Sequence, residues 1–175
     1  MVCTVWRKLA PPKVELMMWL ALLGRLNTKD LLYRKGILSM EANTCSFCGT
    51  SVESLDHLLV SCQVSWQIWC VLSSELRNPI IIPGTLRQMY DIWMNQRIPG
   101  RIRKKYWMLT FFAITWSLWM IRNSIAFEQQ SLSMKSVICS IKWRISLWSK
   151  AWKEEIPYSA HELAKNFVNL ASIFP

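Results

Sequence analysis

The sequence lacks the short motifs that mark the common enzyme classes. It contains no glycine-rich phosphate loop, no G-x-S-x-G nucleophile turn and no H-E-x-x-H metalloprotease signature. Paired carboxylates that could hold two magnesium ions are also missing, because the 11 acidic residues lie scattered along 175 positions. These absences predict that the chain is not an enzyme.

Further absences bear on the compartment. Residues 1–13 carry charges and prolines in place of an apolar signal segment, and the apolar stretch 106–121 is shorter than the roughly 20 residues of a membrane-spanning helix. That stretch therefore predicts a buried helix. Six unevenly placed cysteines are too few for a secreted disulfide scaffold, and Cys3, Cys70 and Cys139 are typical of isolated thiols. We expect an intracellular chain with no membrane partner.

Acidic residues are absent between Asp91 and Glu128, whereas basic residues accumulate around this interval and the whole chain carries a net charge of +10. The basic residues are Arg97, Arg101, Arg103, Lys104, Lys105 and Arg122. Clustered basic side chains release counterions from a phosphate backbone, which is the main source of non-specific affinity for nucleic acid. The sequence therefore predicts contact with RNA or single-stranded DNA through Arg101, Arg103, Lys104 and Lys105. A solvated basic face that only keeps the protein soluble remains the alternative.

The same basic run, residues 101–105, resembles a nuclear-import patch and would be consistent with a nuclear location.

Four residues form the strongest signal in the chain, namely Cys45, Cys48, His57 and Cys62, with the spacing C-x2-C-x8-H-x4-C. Three thiolates and one imidazole complete a tetrahedral Zn²⁺ site and leave no open position for a substrate. Gly49 supplies the permissive backbone that a Cys-x-x-Cys turn often needs. Buried cysteines that are unrelated to a core histidine remain the alternative interpretation. Phe47 lies inside the turn, outside any helix, and is a candidate platform for base stacking.

Helical periodicity dominates the rest of the sequence and predicts a mainly α fold. Leu16, Trp19, Leu20 and Leu23 share one face of a first helix over 14–23. Asn27 or Thr28 should cap a short second helix that ends at Gly36. Cys62 follows His57 by five residues, about 140° around an ideal helix, so the helix must bend or end near Ser61 if both are to reach one ion.

Two longer stripes and a capping box follow further along the chain. The first stripe is Trp107, Phe111, Ile114, Leu118, Ile121 and Ile125, and the second is Val137, Ile141, Ile145, Trp148 and Trp152. Proline-containing breaks around 78–83 and at 99–100 predict three units: a zinc-stabilised helical module over 1–78, a linker over 79–100 that contains a short helix, and a helical extension over 101–175.

The order of motifs resembles the reverse-transcriptase zinc-binding domain of plant LINE-type (non-LTR) retrotransposon polyproteins. The resemblance covers about residues 6–72 and is carried by Trp6, 10–14, Trp19, 24–28, Leu31, 34–37, Cys45, Cys48, Glu53, Ser54, His57, Leu58, Cys62 and Trp69. Further on, Trp116, Trp119, Arg122, Asn123 and Phe127 resemble the W-x-x-W-x-x-R-N-x-x-x-F segment that follows the module in these polyproteins.

The resemblance implies a small helical zinc module, placed downstream of a reverse transcriptase, that contacts nucleic acid without catalysis. Because no polymerase or ribonuclease H core is visible in the sequence, we expect a domesticated remnant or a fragment of such a polyprotein. A structural or protein-interaction module, in which zinc only stabilises the fold, is the alternative function.

Overall fold

The computed structural model describes residues 5–128 and 132–174, so Cys3 lies outside the described residues. The chain is mainly helical, as predicted. Within the described ranges there is no β-strand, only an isolated antiparallel bridge between Thr44 and Val52. The helices are α1 (Pro12–Leu22), α2 (Lys29–Arg34), α3 (Gln63–Glu75), α4 (Leu86–Asn95), α5 (Arg101–Glu128), α6 (Met134–Ser149), α7 (Ala160–Lys165) and α8 (Leu170–Ile173), with a π-helical turn at His57–Ser61 and a 3₁₀ turn at Phe167–Asn169.

The ends of the short helices follow local sequence signals. The hydroxyl of Thr28 accepts a hydrogen bond from the Leu31 amide and begins α2, and Gly36 follows that helix with a φ of 71°. Ser159 and Glu162 form a reciprocal capping box at the start of α7. These caps confirm the boundaries that the sequence predicted.

The apolar stripe predicted for α1 is only partly its buried face, since Trp19 and Leu20 pack against the core but are half-buried. Leu16 is 45% exposed, and the buried side chains of this helix are Val14, Glu15, Met17, Met18 and Ala21. Because α1 is apolar on nearly all sides, its hydrophobic stripe does not define a single face. The buried face is selected by packing against α5, where the hydroxyl of Thr115 lies 3.6 Å from the sulfur of Met18.

Helix α5 occupies the centre of the fold and explains the long apolar run in the sequence. It packs against α1, α3, α4 and α6, and every residue from Tyr106 to Thr115 is buried. The predicted buried helix is thus confirmed. No helix in the described part of the chain is long and apolar enough to cross a membrane.

An aromatic cluster joins α4 to α5. The rings of Trp93 and Trp107 stack with centroids 3.9 Å apart, and each indole N–H donates to the backbone carbonyl of the other residue at 2.8 Å. Trp69 from α3 completes the cluster, with its centroid 5.1 Å from that of Trp93. These tryptophans are buried and their N–H groups are satisfied, so they serve packing.

Helices from both sides of the segment 79–100 contribute to the hydrophobic core. This segment contains α4, near the short helix that the sequence predicted there. The division of the chain into units 1–78, 79–100 and 101–175 stays a prediction.

Candidate metal centre

A tight knuckle presents the first two cysteines. The amide of Cys45 donates to the Ser51 carbonyl at 2.7 Å, and the amide of Gly49 closes the turn on the Cys45 carbonyl at 2.9 Å. Gly49 has a φ of 67°, which a residue with a Cβ rarely adopts. The amide of Phe47 points at the sulfur of Cys45, 3.4 Å away. The knuckle therefore directs both thiols to one side of the turn.

The second pair is presented by the π-helical turn. The hydroxyl of Ser54 accepts a hydrogen bond from the His57 amide at 3.1 Å and so caps the turn that carries the imidazole. The Cys62 amide then donates to the carbonyl of His57, five residues back, at 2.7 Å. At Cys62 the backbone becomes extended, with φ −61° and ψ 135°. The predicted end of the helix near Ser61 is confirmed, and it brings Cys62 beside His57.

The two pairs meet at one point. The ligand atoms of Cys45, Cys48, His57 and Cys62 all lie within 4.8 Å of one another. The sulfurs of Cys45 and Cys62 are 4.0 Å apart, and the sulfur of Cys48 lies 3.4 Å from Nε2 of His57. Zinc bonds of about 2.3 Å to sulfur and about 2.0–2.1 Å to nitrogen place tetrahedral ligand atoms about 3.5–3.8 Å apart. The donor set and its spacing thus fit a closed, tetrahedral zinc site.

Hydrogen bonding within the cluster favours the thiolate form of Cys48 and Cys62 and the thiol form of Cys45. Burial raises the pKa of the Cys48 thiol, but hydrogen bonds from Thr50 and His57 outweigh this effect and lower that pKa to about 5. The Cys45 thiol donates to the sulfur of Cys62, which raises the pKa of Cys45 and lowers the pKa of Cys62. Thiolate is the form of cysteine that binds metal.

A buried carboxylate connects the knuckle to the central helix. Glu53 is 0% exposed, and its carboxylate accepts hydrogen bonds from the Lys29 amide at 3.1 Å, the Ser46 amide at 2.9 Å and the Arg122 guanidinium at 2.7 and 2.9 Å. Burial raises the pKa of this carboxyl, but the hydrogen bonds from Arg122 and Ser46 outweigh it and hold the pKa below its usual value. Glu53 therefore joins the start of α2, the Cys-x-x-Cys turn and α5.

The tryptophan and asparagine next to Arg122 complete its surroundings. The guanidinium lies over the ring of Trp119, 5.3 Å from the centroid, and donates to the side-chain oxygen of Asn123 at 3.1 Å. The segment W-x-x-W-x-x-R-N, which belongs to α5, is therefore connected to the knuckle by the pairing of Arg122 with Glu53. Composition and spacing did not identify the pairing of Glu53 with Arg122. The available signal was that both residues belong to motifs that carry the family resemblance.

The predicted basic surface is only partly free. Arg122 is 4% exposed and pairs with Glu53, so it cannot belong to an accessible basic face. The ammonium of Lys104 donates to the carbonyls of Met94 and Gln96 at the end of α4. Lys105 pairs with Glu154 at 2.6 Å.

Of the four residues predicted to contact nucleic acid, only Arg101 is exposed. The Arg101 side chain is 82% exposed and lies 3.3 Å from the carboxylate of Glu154, whereas Arg103 is half-buried.

Three further residues singled out in the sequence have defined surroundings. Phe47 is half-buried and packs against the core. Asp56 accepts a hydrogen bond from the Leu86 amide at 2.7 Å and so links the His57 turn to the start of α4. His161 is exposed at the start of α7.

Comparison with known proteins agrees with this geometry. No curated protein and no solved structure matches the chain. Residues 1–69 match the model of a family described as zinc-binding in reverse transcriptase. The match contains all four residues of the Cys-His cluster, and it confirms the predicted resemblance for the domain itself. Residues 1–69 of this chain are therefore similar to the zinc-binding domain that is found in reverse transcriptases.

Proposed function

We propose that Cys45, Cys48, His57 and Cys62 bind one Zn²⁺ ion that holds the knuckle and the π-helical turn together without catalysing a reaction. The observation that carries this proposal is the convergence of the four ligand atoms within 4.8 Å. A site with four protein ligands leaves no position for water or substrate, which is typical of structural zinc. Bound zinc would stabilise a segment that has little hydrophobic core of its own.

Metal analysis of the purified chain tests this proposal. We expect one zinc ion per chain, and loss of zinc together with local unfolding of residues 44–70 in Cys45→Ser, because structural zinc contributes about 10–16 kcal/mol of apparent binding free energy in small fingers. Cys70→Ser and Cys139→Ser are matched controls, since both thiols lie outside the cluster, and they should keep full zinc content. Full zinc occupancy in His57→Ala would contradict the assignment.

We further propose that the module derives from a plant LINE-type retroelement polyprotein and that it contacts RNA or single-stranded DNA, with a nuclear location consistent with this role. The net charge of +10 and the exposed guanidinium of Arg101 support the contact with nucleic acid. Arg103 and Phe47, which are both half-buried, are further candidates. Lys104 and Lys105 would have to release their internal partners before binding a phosphate.

A salt titration of single-strand binding tests the contact. Each phosphate contact contributes about 0.7 to the slope of log affinity against log salt, so Arg101→Ala combined with Arg103→Ala should flatten the slope by about 1.4. Lys104→Ala is the control, because its ammonium is held by two backbone carbonyls, and it should leave the slope unchanged. Phe47→Ala should weaken binding by roughly 1–3 kcal/mol at an unchanged slope.

A module for structural support or protein interaction is the second candidate. It is favoured by the internal partners of Lys104, Lys105 and Arg122, which reduce the charge available to a phosphate backbone. The absence of single-strand binding at low salt would select this candidate. Under both candidates we expect neither primer extension nor cleavage of an RNA–DNA hybrid by the purified chain.

A further inference from the structure

A cleft of about 330 Å³ lies between α5 and α6, away from the Cys-His cluster. Ser117, Ile121 and Ile125 line it from α5, and Ser136, Val137, Ser140 and Arg144 line it from α6, with Leu132 and Ser133 at the connection. The volume falls at the lower end of the range for small-molecule sites. The cleft is therefore large enough for a small organic molecule.

Two residues that line this cleft each carry a buried polar atom with no hydrogen-bond partner among the described residues, namely Oγ of Ser117 and Nε of Arg144. Ser117 is only 1% exposed. Other hydroxyls in α5 behave differently, since Thr110 and Thr115 donate to the carbonyls four residues before them at 2.8 and 2.9 Å. A buried polar group without a partner costs roughly 1–3 kcal/mol, so an external partner is expected.

The chemistry of the lining specifies the charge of that partner. None of the described residues that line the cleft is acidic, and Arg144 supplies a permanent positive charge. The exposed hydroxyls of Ser136 and Ser140 stand on the same side of α6, at the mouth. The mouth also includes Ser133, the cap of the 16-residue helix α6, whose N-terminus favours negative charge. Ile121, Ile125 and Val137 form an apolar wall that a wholly polar ion would not use.

We propose that this cleft binds a phosphate monoester with a small apolar body. The phosphate oxygens accept hydrogen bonds from Nε of Arg144 and from the hydroxyls of Ser117 and Ser140, and the body lies against Ile121 and Ile125. Several hydroxyl donors around one guanidinium match the three acceptor oxygens of a phosphate monoester better than the two of a carboxylate. This site is independent of the metal centre and of the proposed contact with single strands.

Nuclear magnetic resonance of the zinc-loaded chain tests the site, with hexyl phosphate as the probe. Titration into the millimolar range should shift the Nε–H resonance of Arg144 and the amide of Ser140. The Nε–H resonance of Arg122 is the internal control, because Glu53 already holds that proton, and it should stay in place. No shift at Arg144 would overturn the proposal.

Three other probes separate the parts of the ligand. Hexanoate carries a carboxylate head, hexanol has no charge and inorganic phosphate has no apolar body, so all three should bind more weakly than hexyl phosphate. Equal or tighter binding of hexanoate would overturn the assignment to phosphate. Equal or tighter binding of hexanol would show that the cleft is merely apolar and would overturn the role of Arg144.

Variants of the lining residues test which side chains bind hexyl phosphate. Arg144→Gln and Ser117→Ala should each weaken the binding of hexyl phosphate, the former by about tenfold or more, because hydrogen bonds to charged groups are the stronger ones. Ser146→Ala is the matched control for Ser117→Ala. Ser146 belongs to α6 and is buried like Ser117, but its hydroxyl already donates to the Lys142 carbonyl at 2.9 Å. Unchanged affinity in both Arg144→Gln and Ser117→Ala would contradict the proposal.

Discussion

Arg122 and Arg144 stand on adjacent helices of the same bundle, yet their surroundings are opposite. The guanidinium of Arg122 is held by a buried carboxylate, an asparagine and an indole ring. Arg144 is half-buried and lines a cleft, and its buried Nε has no hydrogen-bond partner among the described residues. A guanidinium whose partners all lie inside the protein fixes structure, whereas a buried Nε–H without a partner favours an external acceptor.

The difference has a cause in the sequence. Arg122 meets a carboxylate because Glu53, 69 positions earlier, has its side chain directed into the core by the bonds of its own amide to Asn43 and of Ser46 to its carboxylate. Helix α6 faces a stretch of α5 that contains no acidic residue. The scarcity of acidic residues therefore leaves Arg144 without an acidic partner among the described residues, whereas Arg122 is paired with Glu53 beside the knuckle.

The largest expected effect comes from removing the guanidinium of Arg122, whose partners all lie inside the protein. Arg122→Leu leaves the Glu53 carboxylate buried and uncompensated, and removing one partner of a buried ion pair typically costs about 3–5 kcal/mol of unfolding free energy. Since Glu53 also holds the Ser46 amide, this variant should weaken zinc binding as well. Urea denaturation and a competitive zinc titration measure the two effects.

Arg34→Ala is the matched control for that experiment. Arg34 also pairs with a carboxylate, that of Asp30, but its side chain is 66% exposed. Exposed ion pairs contribute little, so the unfolding free energy should change by less than about 1 kcal/mol. A cost for Arg122→Leu no greater than that of Arg34→Ala would show that the buried pair does not stabilise the domain.

The Glu53–Arg122 pair also shows what the sequence could and could not provide. The Cys-His spacing, the caps of α2 and α7 and the end of the helix near Ser61 depend on residues close in the chain, and the sequence predicted them. The partners of Arg122, Lys104 and Lys105 depend on tertiary packing, as does the buried face of α1. A basic run in the sequence therefore overstated the free positive charge of the surface.

An intermediate difference in stability is expected between two variants that each lack one buried serine in the middle of a helix. Ser117→Ala removes a hydroxyl that has no partner in the described part of the chain, whereas Ser146→Ala removes one that donates to a backbone carbonyl. The gain in helix propensity is similar in both and cancels in the difference. We expect Ser117→Ala to be the more stable variant by about 1 kcal/mol when no ligand is present. Thermal unfolding of both variants at equal zinc loading measures this difference, and the reverse order would indicate that Ser117 has an internal partner.

The smallest effect on stability should come from giving Arg144 the kind of partner that Arg122 already has. Ser140→Asp places a carboxylate four residues before Arg144 on α6, an arrangement that stabilises a helix by about 0.2–0.5 kcal/mol. The same carboxylate would occupy the guanidinium and repel an anion, so the binding of hexyl phosphate should be lost. Ser140→Asn is the uncharged control of similar size and should retain most of that binding. If Ser140→Asp bound hexyl phosphate as well as the unaltered chain does, Arg144 would not be the group that recognises the anion.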